Sequence, residues 1–230
     1  MWLRHFLPEH HLSPDSRDTV KLATGLVATM SALLLGLLVN SAKTSYDTTR
    51  TQVLQVAAKF DLLDRALRIY GPHAAQVRAA LPGLIEESTR RTWLKAAGNQ
   101  AQAKPTPQMA DAFDVALLRL EARDDVERAL KSLAVSLIVE IGQIRSLMRA
   151  ESVASVSKPM MVVVVLWLVM IFLGFSLIAP SNATANFALI GSALCAAAAI
   201  FLILELDHPF GGLMQISSEP LLNELAPAGQ

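Results

Sequence analysis

Two long stretches of this chain contain no charged residue, and both predict membrane-spanning helices. The first covers residues 22–42, between Lys21 and Lys43, and the second covers residues 159–204. A polar, proline-containing run at 179–184 divides the second stretch. Because a helix rises about 1.5 Å per residue, about 20 apolar residues cross a hydrocarbon core about 30 Å thick. The pattern therefore predicts three spans, over residues 20–42, 159–179 and 185–205.

A different hydrophobic pattern follows the first span, with apolar residues at alternating steps of three and four. This seam consists of Val53, Val56, Phe60, Leu63, Leu67 and Tyr70. No glycine or proline separates Ala42 from Gly71, so we expect one long helix that continues beyond the membrane. A second seam of the same period consists of Leu130, Ala134, Leu137, Ile141, Ile144 and Met148. Two matching seams predict an antiparallel helix pair.

Shorter helices are predicted between the two seams. Residues 73–97 have a helical pattern that we expect to break near Pro82-Gly83, and residues 97–107 resemble a linker. A helix is expected from about residue 108 to 123, with Asp124 or Asp125 capping the next one. No segment alternates as a strand would. The predicted fold is an all-α membrane protein with a cytoplasmic helical bundle, residues 43–158, inserted between the first and second of three transmembrane helices. Segment 1–19 precedes the spans and tail 206–230 follows them.

The distribution of charge predicts the topology. The chain carries 20 basic and 20 acidic residues, so no net field attracts nucleic acid. Segment 43–158 holds seventeen of the Lys and Arg residues and thirteen acids, whereas the turn at 179–184 holds no charge. Basic flanks favour the cytoplasm, which predicts a multi-pass inner-membrane protein with its amino terminus outside and its carboxyl terminus cytoplasmic. The bundle's charges are interspersed, and no nucleic-acid partner is expected.

The sequence offers little catalytic chemistry. There is no phosphate-binding glycine loop, no zinc motif and no evident nucleophile–base pair. His10 and His11 are adjacent, so their rings point apart and make a poor chelate. The single cysteine, Cys195, is expected to be a packing residue. We therefore expect no enzyme activity, no cofactor and no metal site.

Small residues form a stripe along the first span: Gly25, Ala28, Ala32, Gly36 and Asn40. Small side chains allow helices to approach closely in lipid. One interpretation is packing against the other two spans. The other is a face turned to a pore or to another subunit, with Asn40 near the cytoplasmic mouth. In the third span, Gly191, Cys195 and Ala199 favour packing, and the second span lacks such a stripe and is expected to be the most lipid-exposed.

The end of the third span carries Glu205 and Asp207, with no Lys or Arg following them. Carboxylates at the carboxyl end of a helix oppose the helix dipole. Either they pair with Arg145, Arg149 or Lys158, or they shape a vestibule that attracts cations.

Several segments together resemble the bacterial bestrophin-like domain membrane proteins, over nearly the whole chain. These segments are 36–48, 62–65, 70–72, 179–184, 205–212 and 215–218. The resemblance implies a bacterial inner-membrane protein. More distantly, the chain is similar to the bestrophins, which are pentameric anion channels with a helical cytosolic body.

In bestrophins, a Pro-Phe-Gly and an acidic run leave the last span and help to hold calcium. We define the exit motif of this chain as Glu205, Asp207, Pro209, Phe210 and Gly211. Residues 212–215 hold no acid, so calcium gating is not implied. Residues 28–39 contain no aromatic residue for a bestrophin-like constriction. Leu33, Leu34 and Leu37 are the candidates for an apolar one, which can gate by dewetting.

Two functional hypotheses follow from these patterns. The first is an oligomeric ion channel, conducting small anions, with a homo-oligomer such as a pentamer arranged so that the first span lines the axis. The alternative is a non-conducting membrane scaffold or sensor whose cytoplasmic bundle binds a partner. Both place the protein in a lipid bilayer.

Overall fold

The computed structural model describes residues 14–96, 107–151, 158–179 and 182–222. The expected segment before residue 14, the linker over 97–106 and the tail beyond 222 lie outside the described residues. The described chain is helical and contains no strand. Its elements are α1 (Pro14–Tyr70), a 3-10 turn (Pro72–Ala74), α2 (Ala75–Ala96), α3 (Pro107–Leu118), α4 (Asp125–Glu151), α5 (Lys158–Ile178), α6 (Ala183–Leu206) and α7 (Glu219–Leu222).

The long first helix is confirmed. α1 contains 57 residues without a break. Helices α1, α5 and α6 are each long and apolar enough to cross a membrane. The all-helical class and the three apolar helices thus agree with the sequence. The described residues form two compact units, one within 1–45 and 154–207 and the other within 46–153 and 208–230.

The first unit contains the three apolar helices. On α1, the buried residues Thr24, Ser31 and Leu38 recur every seven positions. α5 contributes Val164 and α6 contributes Ile203 to the buried set. Most large apolar side chains of these helices are exposed, as a lipid solvent allows. The expectation that the second span is the most exposed is wrong, because α6 has the smallest buried share of its apolar window, 6% against 17% for α5.

The second unit has a core built on the two predicted seams. All six seam residues of α1 are buried, and in α4 Ala134, Leu137 and Ile141 are buried while the other three are partly buried against the same core. Lys59 on α1 forms a salt bridge with Glu140 on α4. Nearer the start of α1's seam, Val53 lines a cavity of about 30 Å³ with Arg145, which lies later in α4. The two helices therefore run antiparallel, as their matching seams predict.

The predicted break at Pro82-Gly83 is wrong, because α2 runs through both residues to Ala96. Proline inside a helix removes one backbone hydrogen bond and costs about 3 kcal/mol. Leu81, Leu84 and Ile85 are each at most 7% exposed, so burial on both sides of the proline offsets that cost. The second unit is further held by Arg78, whose guanidinium donates to both carboxylate oxygens of Asp64, at 2.7 and 3.2 Å.

Helix α3 ends at Leu118, five residues before the predicted end. The reason lies partly in α4, where Lys131 Nζ donates to the carbonyls of Leu118 and Leu120, each at 2.7 Å. A cation that satisfies the last carbonyls of a helix stabilises its end. Asp124 is the cap of α4, since its Oδ1 accepts from Glu127 N at 2.7 Å. One of the two predicted capping residues is therefore confirmed.

At Gly174, α5 lies so close to α1 that no larger side chain fits without a shift. A Cβ at residue 174 would overlap Thr24 Oγ1 and lie 3.3–3.4 Å from Thr24 Cγ2 and Cβ. We expect Gly174→Ala to destabilise the solubilised protein by about 1–3 kcal/mol through overpacking. The matched control is Gly191→Ala, since a Cβ there meets nothing within 4 Å. Thermal unfolding monitored by tryptophan fluorescence measures both. Equal shifts for the two variants would contradict this account.

Asp114 on α3 provides a test that depends on pH. Burial, followed by the nearby Asp111 carboxylate, raises the pKa of Asp114 above its ordinary value of 3.8. Ionised Asp114 therefore destabilises the fold at neutral pH, and its protonation removes the cost. The like-charge repulsion alone is worth about 0.2–0.5 kcal/mol, and Asp114→Asn also removes the burial cost, so it should stabilise the protein at pH 7 by at least that amount.

The stabilisation by Asp114→Asn should fade as the pH falls through the raised pKa of Asp114 towards the ordinary carboxyl value. Exposed Asp111 is the control, since Asp111→Asn removes the repulsion but no burial cost, and should give a smaller effect. Denaturant midpoints of both variants, measured between pH 4 and 8, test whether the stabilisation depends on pH. An Asp114→Asn effect that does not change with pH would refute the argument.

Candidate functional site

The small-residue stripe of the first span lies on the exposed side of α1. Gly25, Ala32, Gly36 and Asn40 are exposed, and only Ala28 is half-buried. A Cβ added at Gly25 or Gly36 would meet no atom within 4 Å. The face that packs inside the unit is instead the one carrying Thr24, Ser31 and Leu38. The stripe is therefore largely exposed in the described structure, and its role, either in packing or as a face turned to a pore or another subunit, stays a prediction.

The three candidate constriction leucines do not share one environment. Leu33 is 70% exposed and Leu37 is 55% exposed, whereas Leu34 is half-buried. At about 100° per residue, Leu33 and Leu37 lie close together on the far side of the stripe from the buried face. Two adjacent faces of α1 are thus open, a small-residue face and a leucine face. The apolar constriction predicted for these leucines stays a prediction.

The third span leaves its small residues open as well. Gly191 and Cys195 are exposed and Ala199 is half-buried, and nothing lies within 4 Å of a Cβ at Gly191. Packing of this stripe inside the chain is therefore not observed. The helix begins with a clear local signal, since Asn182 Oδ1 accepts from Ala185 N at 2.8 Å and caps the first turn.

The exit motif begins at the end of α6 with two half-buried carboxylates, Glu205 and Asp207. Asp207 is the C-cap, and its backbone N–H donates to Ile203 O at 3.1 Å. Their pairing with Arg145, Arg149 or Lys158 stays a prediction, as does the vestibule. The side chain of Lys158 lies outside the described residues.

The remainder of the exit motif forms a closed turn in the second unit. Gly211 N donates to His208 O at 3.1 Å, and Ile216 N donates to Pro209 O at 2.7 Å. Gly212 has φ of 80°, a left-handed conformation that glycine adopts without strain. These contacts fold residues 208–216 back on themselves. Within the turn, the N–H groups of Gly211 and Ile216 are therefore satisfied by backbone carbonyls.

Trp93 on α2 anchors this turn, and sequence reasoning missed it. Its Nε1 donates to Ile216 O at 3.0 Å. Its ring meets that of Phe210 edge-on, with centroids 5.1 Å apart and planes at 69°. The sequence could have suggested this contact only through the residue type, because the N–H of a half-buried tryptophan usually finds an acceptor. Sequence spacing alone could not identify a partner more than a hundred residues away.

No metal centre is evident in the described ranges. They contain no group of three or more His, Cys, Asp or Glu residues that could hold an ion. The turn at residues 208–216 presents no carboxylate of its own, since residues 212–215 are Gly, Leu, Met and Gln.

The described chain thus combines three membrane-length helices, a helical second unit, and a Pro-Phe-Gly turn after α6. The family model described as "Bestrophin-like domain" matches residues 1–221. The chain belongs to the bestrophin-like family. Comparisons with curated proteins and with solved structures found no match. The bestrophin-like domain takes in the described parts of both compact units, including α1, Trp93 and the whole exit motif.

The Trp93 anchor of this bestrophin-like protein can be tested by amide exchange. Trp93→Phe removes the indole donor but keeps an aromatic ring beside Phe210. Leaving Ile216 O without a partner should cost about 1–3 kcal/mol locally. We expect faster hydrogen exchange at residues 208–216, above all at the Ile216 amide. Trp167→Phe, on α5, is the control and should leave exchange in this turn unchanged. Unaltered protection in Trp93→Phe would show that the turn holds without the anchor.

Proposed function

We propose that this bestrophin-like protein is a homo-oligomeric channel for small anions, with the first span lining the central axis. It would sit in the bacterial inner membrane with the second unit in the cytoplasm. The supporting observation is the exposed stripe of α1. Gly25, Ala32, Gly36 and Asn40 are left open by the chain's own spans, although small residues are more useful at close contacts or around a pore than against lipid.

An oligomer is required by this proposal for a geometric reason. The described residues include three helices that could span a membrane, and three helices leave no room for a central conduit. A closed ring of subunits places the same helix face around one axis. If the small-residue face of α1 points to that axis, Asn40 supplies amide dipoles. The adjacent leucine face, Leu33 and Leu37, then meets lipid or a neighbouring subunit.

The proposed pore would have no fixed charges along its membrane-spanning part. Residues 22–42 of α1 contain no charged side chain, so the proposed lining offers small side chains and one amide. Selectivity in such a pore depends on its diameter and on the dipoles that line it. The proposal therefore rests on the exposure of the stripe and on family membership, and not on a charged filter.

Flux through liposomes tests the role of the stripe. Gly36→Leu and Asn40→Leu add bulk to an open helix face where a side chain at Gly36 meets no neighbour, so folding should be preserved. We expect chloride flux to change by about tenfold or more, the effect of about 1.4 kcal/mol on a barrier. Gly191→Leu on α6 is the matched control and should conduct as the unmodified protein does. Normal flux in folded Gly36→Leu and Asn40→Leu would remove the stripe from the conduction path.

Particle mass, measured by native mass spectrometry from nanodiscs, decides whether a pore is geometrically available. A defined ring-sized oligomer, above all a pentamer, supports the channel. A monomer or dimer contradicts it and favours the scaffold or sensor. One observation favours that second candidate. The second unit exposes large apolar side chains on two helices, namely Leu54, Leu62 and Ile69 on α1 and Val126, Leu133 and Leu147 on α4.

A further inference from the structure

The second unit contains a groove of about 630 Å³ between the start of α2 and helix α3. Its floor includes Val77 and Phe113, which are 5% and 3% exposed. Alanines at 80, 112 and 116 line the walls, and their short side chains leave the space open. Pockets of 300–1,000 Å³ with mostly apolar walls and a few polar groups are typical of small-molecule sites.

The groove has a polar end and an apolar end. Met109 lies beside Gly83, because a Cβ at residue 83 would be 3.9 Å from Met109 Sδ. α2 and α3 run in opposite directions along the groove, so Arg119 lies near His73 at the other end. Ten residues of helix separate the two ends, a distance of about 15 Å. Apolar surface therefore continues for about 15 Å from the groove's basic end.

The basic end carries donors that are available to an outside ligand. His73, Gln76 and Arg119 line this end, and all three are exposed. In the part of the chain that the structure describes, no salt bridge joins an acid to Arg119 or His73. The acids of α3, Asp111 and Asp114, do not line the groove. A guanidinium with planar paired donors suits a carboxylate.

We propose that this groove binds a single-chain amphiphile with a carboxylate head, of the fatty-acid class. The head pairs with Arg119 and His73, and the alkyl chain lies over Val77 and Phe113 towards Met109. Methionine is flexible and polarizable, so Met109 adapts to the end of the chain. A medium-length chain matches the length of the groove. The site lies in the second unit and is separate from the proposed conduction path along residues 22–42.

The test uses the full chain in nanodiscs of zwitterionic lipid and a photoreactive probe, decanoic acid with a diazirine at its terminal carbon. After irradiation, mass spectrometry maps the labelled residues. We expect labelling of α2 and α3 near Met109 and Ala80, suppressed by excess decanoic acid. The neutral probe, decanol with the same diazirine, should label these helices about tenfold less. A hydrogen bond to a charged group typically changes binding by about that factor.

Two pairs of variants separate the head and tail contacts. Arg119→Glu should reduce labelling about tenfold, whereas Arg65→Glu, on an exposed part of α1 outside the groove, should not. Ala80→Trp fills the groove and should abolish labelling, while Ala79→Trp, its exposed neighbour outside the lining, should not. Equal labelling by the decanol probe, or labelling unaffected by Arg119→Glu and Ala80→Trp, would overturn the proposal. So would label confined to α1, α5 and α6.

Discussion

The continuity of α1 is the constraint on which both units depend. One helix of 57 residues carries a membrane-length apolar run and then the seam of the second unit's core, with no glycine or proline to interrupt the second part. Buried residues follow a seven-residue spacing in each part, as in Thr24, Ser31 and Leu38, and again in Val56, Leu63 and Tyr70. A helix can keep that spacing on one face only while its hydrogen bonds remain unbroken. The apolar run leaves many of its large side chains exposed, whereas the seam residues are all buried.

The second unit shows how tertiary contacts hold short helices that are weak by themselves. Pro82 remains inside α2 because Leu81 and Ile85 bury their side chains in the same core. α3 ends where Lys131 supplies donors for its last carbonyls. The chain that leaves α6 then folds back on Trp93. In this unit the distant partners α4 and the exit turn complete elements that local sequence leaves open.

The exit motif has different roles for its successive parts. Asp207 ends a helix, Pro209 and Gly211 accept and donate within a turn, and Phe210 packs on Trp93. An edge-on aromatic contact and a hydrogen bond to the Ile216 carbonyl hold this turn against Trp93 of α2. The interactions that secure the turn therefore come from this chain's own residues.

The sequence by itself determined the helical class, the three apolar helices, the long α1 and both seams. A membrane-length helix needs a long uncharged run, and a buried helix face needs apolar residues at steps of three and four, and both patterns can be read from the sequence. It also indicated that Asp124 or Asp125 caps α4, because a helix cap depends on neighbouring residues. The tertiary structure alone decided that Gly25, Gly36 and Asn40 face outward, that α6 is more exposed than α5, and that Trp93 holds residues 208–216. Small residues suit a tight interface and an open face equally, and periodicity does not specify which neighbour a helix meets. Those outcomes depend on contacts between residues far apart in the chain.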